Sequence, residues 1–238
     1  MTKEELQDIW KQIGSRFKSH PWHGINIGVN APEVVTSFIE IVPSDTVKYE
    51  VDKESGYLTV DRPQKFSNII PALYGFLPQT YCAEEVAKTC MEKLNRTDIV
   101  GDNDPLDICV LTERAISHGN LLVPSIPIGG FRMIDGGEAD DKIIAVLKGD
   151  EVYNWNDISE VPESIINRLR HYFETYKDMP GTGEERKIEI AEVYGREEAY
   201  AVIKASQKDY EKHYGNLETE ITIAAGNALE AGKKLKIV

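Results

Sequence analysis

Apolar residues recur at two different periods along this chain, and the changes of period mark its elements. Over residues 3–18, Leu6, Ile9, Trp10, Ile13 and Phe17 share one helical face, which predicts an amino-terminal packing helix weakened late by Gly14. His20-Pro21-Trp22-His23-Gly24 then breaks the pattern. From Ser37 to Asp61 the period falls to two in three runs, 38–42, 47–51 and 57–60, separated by Pro43-Ser44-Asp45 and Glu54-Ser55-Gly56. Alternation interrupted by turn residues predicts three antiparallel strands. More strands are predicted at 108–111, across 121–134 with Gly129-Gly130 as a bulge or sharp bend, and at 143–147. The 162–179 stretch reads as a helix: Ile165, Leu169, Tyr172, Phe173 and Tyr176 form its stripe, Pro162 suits its first turn and Pro180-Gly181 ends it. Another helix is predicted from 196 to about 214, and the tail 221–238 is Ala-rich and helical in character.

Five or more short strands with bends imply a small closed barrel, so the fold class is α+β with a mainly β core and flanking α-helices. No repeat or composition shift marks a boundary, and the whole chain, 1–238, reads as one domain. With 41% apolar and 28% charged residues, the composition is that of a folded globular protein. The net charge of −13 argues against nucleic acid or an anionic membrane as partner, so an anionic substrate has to be met by clustered cations. Met1-Thr2-Lys3-Glu4-Glu5-Leu6 lacks the apolar region of a signal peptide, and no stretch is long enough to span a bilayer, which points to the cytoplasm. Cys82, Cys90 and Cys109 are odd in number and lack C-x-x-C spacing, so they read as reduced thiols.

The chemistry concentrates in Gly101-Asp102-Asn103-Asp104-Pro105-Leu106-Asp107, which opens into the apolar run Ile108-Cys109-Val110-Leu111. Two carboxylates about 4 Å apart repel by about 4 kcal/mol at an effective dielectric of about 20, and a third adds to it. Positive charge is therefore expected among them, and oxygen-only ligands suit a hard cation, Mg²⁺ or Mn²⁺. Alternation along an extended chain sends Asp102 and Asp104 to one face, and Pro105 bends the backbone so that Asp107 rejoins them. A second acidic group, Asp135-Gly136-Gly137-Glu138-Ala139-Asp140-Asp141, lies between two predicted strands; on its own it reads equally well as a solvated turn. Lys48, Arg62, Lys142 and Lys177 fall on the predicted strands, a strand end and a helix end. Each alone is ordinary surface charge, but together they complement several phosphate oxygens. There is no P-loop, Gly181-Thr182-Gly183 lacks the third glycine of a dinucleotide loop, and His20 and His23 lack a third ligand. An EF-hand counted from Asp102 fails because Asp107 replaces its turn glycine.

Asp102-Asn103-Asp104-Pro105-Leu106-Asp107 closely resembles the signature of the soluble family I inorganic pyrophosphatases. Glu40, the stretch 47–56, Val60-Asp61-Arg62-Pro63, Tyr74-Gly75, Asp135 with Asp140 and Lys142, and Tyr176-Lys177-Asp178 follow in that family's order, so the resemblance covers about 37–178. It implies hydrolysis of pyrophosphate to two phosphates with several Mg²⁺ ions per subunit, Mn²⁺ being a possible substitute, on a five-stranded OB-like barrel. By the same resemblance Asp102, Asp107, Asp135 and Asp140 are metal ligands, and Asp104 holds or deprotonates the attacking water. Lys48, Arg62, Lys142, Tyr176 and Lys177 bind the phosphoryl groups, Tyr74 supports the site, and Glu40 and Glu50 stand behind the ligands. The family forms homo-oligomers, and a hexamer is expected here rather than a dimer. Ile70 stands where many members carry tyrosine, Gly136 replaces an acidic residue of some members, and 78–99 is an insertion about which the resemblance is silent. Two alternatives stay open: a metal-dependent hydrolase of another phosphate ester or nucleotide, and a non-enzymatic acidic cation-binding module.

Overall fold

A computed structural model describes residues 14–177, 188–216, 223, 224 and 226–228. Most of the expected amino-terminal helix, the Pro180-Gly181 stop, Gly181-Thr182-Gly183 and most of the tail 221–238 lie outside the described residues. The chain divides into two units, His20–Asp209 and the ends Met1–Ser19 with Tyr210–Val238. In the second, residues 14–16 are helical, and the Tyr210 and Tyr214 rings lie 5.2 Å apart.

The strands are β1 (Val35–Ile41), β2 (Val47–Val51), β3 (Leu58–Pro63), β4 (Leu73–Phe76), β5 (Val100–Gly101), β6 (Asp107–Leu111), β7 (Leu121–Asp135), β8 (Glu138–Ala139), β9 (Lys142–Leu147) and β10 (Ile188–Gly195). The helices are α1 (Glu84–Leu94), α2 (Glu163–Thr175) and α3 (Arg196–Tyr214). Strands pair in the order β1-β4-β6-β9-β7, and β7 pairs back onto β1, so five strands close into a ring. This is the closed barrel that the alternating pattern predicts. Every pair in the ring is antiparallel except β6 with β9. The long β7 carries β8 and β10 in addition, and its pairing with β9 shifts register between Pro127 and Gly129, at the expected bulge.

The first three strands do not form a continuous meander. β2 and β3 make a separate two-stranded sheet, while both edges of β1 are taken by β4 and β7. Burial gives the reason: β1 is buried almost throughout, whereas β2 and β3 are largely half-exposed or exposed. A strand covered on both faces belongs inside the ring system, and a solvated hairpin belongs on its rim. β1 and β4 approach so closely that a Cβ at Gly75 would stand 1.9 Å from the Phe38 carbonyl oxygen, so only glycine fits there.

Alternation on β6 and β9 separates two apolar layers. Ile108, Val110, Ile143 and Ala145 pack with Val86 and Cys90 of α1 and Val202 and Ile203 of α3. Cys109, Leu111, Ile144 and Val146 face the other way, towards Leu169, Tyr172 and Phe173 of α2. Both faces of these strands are dry, which explains why their sequences are unbroken apolar runs. Among the described residues no helix is long and apolar enough to cross a membrane.

Candidate active site

The charged ends of the ring strands converge at one opening. Parallel pairing sets Asp107, the first residue of β6, directly beside Lys142, the first residue of β9. Tyr74 lies on the neighbouring β4, and its hydroxyl donates to Asp107 Oδ2 at 2.5 Å. Glu40 comes from β1, Lys48 and Glu50 from β2, Asp135 from the end of β7, and Tyr176 and Lys177 from just beyond α2. Together with Asp102, Asp104 and Asp140 they line a cavity of about 250 Å³. Twelve of the thirteen residues singled out in the sequence therefore meet there. Arg62 is not in the lining; it pairs with Lys48 across the β2–β3 hairpin, and its guanidinium lies 5.8 Å from the Tyr176 ring centre.

The aspartate loop converges by a turn and not by extended alternation. Asn103 adopts a left-handed conformation with φ 61°, and the Asp104 backbone N–H donates to Asp102 Oδ1 at 3.0 Å. An Asx turn of this kind folds the two carboxylates onto one side within three residues. The second acidic group is a hairpin, with Asp135 opposite Glu138 in the β7–β8 pair and both Gly136 and Gly137 at positive φ. Two consecutive positive φ values are what a tight hairpin turn requires. That accounts for the glycine at 136, and Glu138 on the opposite strand lines the cavity instead. Ile70 is fully buried beside Ala72 and Cys109.

Alternation then sorts Asp140, Asp141 and Lys142. Asp140 and Lys142 face the cavity and pair with each other, while Lys142 also pairs with Asp107. Asp141 points away and accepts from the Tyr194 hydroxyl at 2.9 Å, with buried Arg132 3.9 Å off. Further ion pairs join Lys48 to Glu50 and to Asp61, Lys53 to Asp104, and Lys177 to Asp135. Lys53 and Glu138 are cavity residues that sequence reasoning did not assign. Lys53 belongs to the 47–56 stretch, and Glu138 to the second acidic group. Trp22 is a third addition: it sits in the wall, with its indole N–H donating to the Thr80 carbonyl at 2.8 Å. In the same loop His20 Nδ1 accepts from the backbone N–H groups of Trp22 and His23. His23 is held down to about 4 by burial and by His20.

Eight carboxylates face four lysines across this cavity. The surplus shows in the titration of the acids. Burial, followed by the charge of Asp140, raises Asp102 to about 9. Burial raises Glu40 to about 8, against a hydrogen bond from the Val51 N–H at 2.7 Å that favours its charged form. Burial also raises Asp140, and it lifts Tyr74 well above its usual range, with Asp107 adding to the effect. Burial opposes the charge on Lys142, but Asp107 and Asp140 outweigh it and hold the ammonium well above its usual range. Oxygen-only donors carrying uncompensated negative charge fit hard divalent cations. Among the described residues no three acidic, imidazole or thiol groups are gathered at metal-ligand spacing; lysines stand between the carboxylates instead.

A five-stranded barrel with carboxylates and lysines interleaved in a rim cavity defines a protein built for a polyanion accompanied by cations. The sequence profile of the inorganic pyrophosphatases matches residues 37–211, and the chain belongs to that family. It is 52% identical to the inorganic pyrophosphatase of Chlamydia muridarum (strain MoPn / Nigg), over 80% of this chain and 93% of that one. It is 36% identical to soluble inorganic pyrophosphatase 2 of Chlamydomonas reinhardtii, over 82% and 91%. Among solved structures, the inorganic pyrophosphatase from Thermus thermophilus matches with a TM-score of 0.66 at 28% identity, over 82% of this chain and 99% of that one.

Proposed function

We propose that this protein hydrolyses inorganic pyrophosphate to two orthophosphates, with Mg²⁺ as its cofactor and without a covalent intermediate. The observation that carries the reading is the meeting, in one cavity, of carboxylates from four separate segments with Lys48, Lys142 and Lys177. Cation storage alone has no use for inward-facing lysines, whereas a phosphoanhydride needs both signs of charge. In this reading Asp102, Asp107, Asp135 and Asp140 hold the divalent ions, which when bound neutralise phosphoryl charge and acidify water. Asp104, half-exposed at the cavity and paired with Lys53, orients the attacking water and takes its proton. Lys48, Arg62, Lys142, Lys177 and Tyr176 hold the two phosphoryl groups, with the Arg62 guanidinium 5.8 Å from the Tyr176 ring centre. Tyr74 keeps Asp107 in place, and Glu40 fixes β2 through the Val51 N–H.

A cytoplasmic location belongs to the same proposal, supported by three buried free thiols. So does assembly as a hexamer in preference to a dimer, which sedimentation decides. Phosphate release from pyrophosphate, with ATP and a simple monoester in parallel, tests the activity. We expect release that a chelator abolishes, and nearly complete loss of it in folded Asp104→Asn and Asp107→Ala. Folded variants with undiminished turnover overturn the assignment.

A further inference from the structure

The aspartate loop has a support that the site itself does not explain. Its backbone is bonded to the segment just before α1: the Cys82 N–H donates to the Asp104 carbonyl, and the Asn103 N–H donates to the Cys82 carbonyl, both at 2.9 Å. The Leu106 N–H donates to Thr80 Oγ1 at 2.9 Å, and that hydroxyl donates to the Leu77 carbonyl at 2.6 Å. Thr80, Cys82 and Leu106 are all buried. Between β5 and β6 the loop's backbone is therefore held by residues 80–82.

Those residues are in turn placed from far along the chain. A helix beginning after Ala83 has no side chain of its own to satisfy its first N–H groups, and α1 shows no local cap. Asp209 of α3 supplies one. Its carboxylate, completely buried, accepts from the backbone N–H groups of Ala83 at 2.9 Å, Glu85 at 3.0 Å and Val86 at 3.1 Å. Ser206, one turn earlier on α3, accepts through its carbonyl from the Tyr81 N–H at 3.0 Å. A negative charge at a helix amino terminus is favourable, and here it doubles as the clamp between two helices.

We infer that Asp209 is a positioning residue for the reaction: by capping α1 from α3 it fixes residues 80–82, and through Thr80 and Cys82 it fixes the loop that carries Asp102 and Asp104 and leads into Asp107. The inference rests on the proposed role of those aspartates. The lysines that face them come from β2, the β2–β3 turn, β9 and the residues just beyond α2, whereas the amides that Asp209 caps belong to Ala83, Glu85 and Val86. Loosening the clamp therefore displaces the carboxylates of the aspartate loop and leaves Asp135, Asp140 and the lysines in place.

Hydrogen exchange and pyrophosphate kinetics on the full chain test this together. In Asp209→Ala we expect the amides of Asn103 and Leu106 to exchange faster by on the order of tenfold, alongside those of Ala83, Glu85 and Val86. We expect kcat to fall by a similar factor, with KM for pyrophosphate within about twofold of the parent. Thr80→Val should reproduce the Leu106 and kcat effects while the α1 amides stay protected, and Thr80→Ser, which keeps the hydroxyl, should restore both. Lys208→Ala, which removes the neighbouring surface pair with Glu85, should change neither. Faster exchange confined to the α1 amides, with Asn103, Leu106 and kcat at parent values, overturns the inference. If Asp209→Ala does not fold, the two Thr80 variants decide. A parent protein inactive on pyrophosphate would sink the proposed function, while the exchange pattern would still report whether the clamp reaches the loop.

Discussion

Lys142 is the residue on which both acidic segments of the cavity depend. Its ammonium pairs with Asp107 from one segment and Asp140 from the other, and the side chain is only 2% exposed. Removing one partner of a buried pair leaves the other charge uncompensated, so Lys142→Met should cost about 3–5 kcal/mol, read from the denaturant midpoint in the absence of divalent ions. Glu40 gives a pH signature. Its folded-state value near 8 lies above the ordinary carboxyl value of 4.5, so between those limits the folded chain holds a proton that the unfolded chain releases. Stability of the chelator-treated protein should therefore fall as pH rises from 4.5 to 8, and Glu40→Gln should flatten that slope in thermal melts across the range. Residue identities at this scale were largely legible, because clustered aspartates and spaced lysines keep their chemistry whatever the fold. The position of Arg62 was not legible, since it depends on a hairpin register with Lys48 and on Tyr176, neither of which alternation specifies.

At the scale of elements, most strands of the ring were readable and strand partnership was not. The runs at 38–42 and 47–51 look alike in sequence, yet β1 enters the ring and β2 joins a rim hairpin. β4 escaped notice because it is four residues long and contains Gly75. β10 carries a visible alternation, Ile188-Glu189-Ile190, just before the predicted helix at 196. α1 has the clearest reason for being missed: Tyr81-Cys82-Ala83 offers no capping side chain, and the group that starts the helix is Asp209, distant in sequence. The β7–β8 turn yields a direct test. Gly137 has φ 94°, a conformation that L side chains rarely adopt, so Gly137→Ala should cost about 1–2 kcal/mol by equilibrium unfolding even though open space surrounds the site.

For the whole molecule, the −13 net charge and the acidic surplus of the cavity act in the same direction. Both oppose compactness until cations arrive. Mg²⁺ at a hundred times its dissociation constant should add about 2.7 kcal/mol of stability, seen as a melting temperature that rises with Mg²⁺ and returns to baseline with chelator. An equal rise with NaCl at matched ionic strength would show general screening in place of specific binding.

The stretch from Asp135 to Lys142 is also a ruler with a parity. Asp140 and Lys142 reach the cavity and Asp141 reaches the Arg132 side only because a fixed number of residues separates β7 from β9. Lengthening that span by one would carry a carboxylate to the place of the ammonium beside Asp107 and drive the lysine toward an arginine.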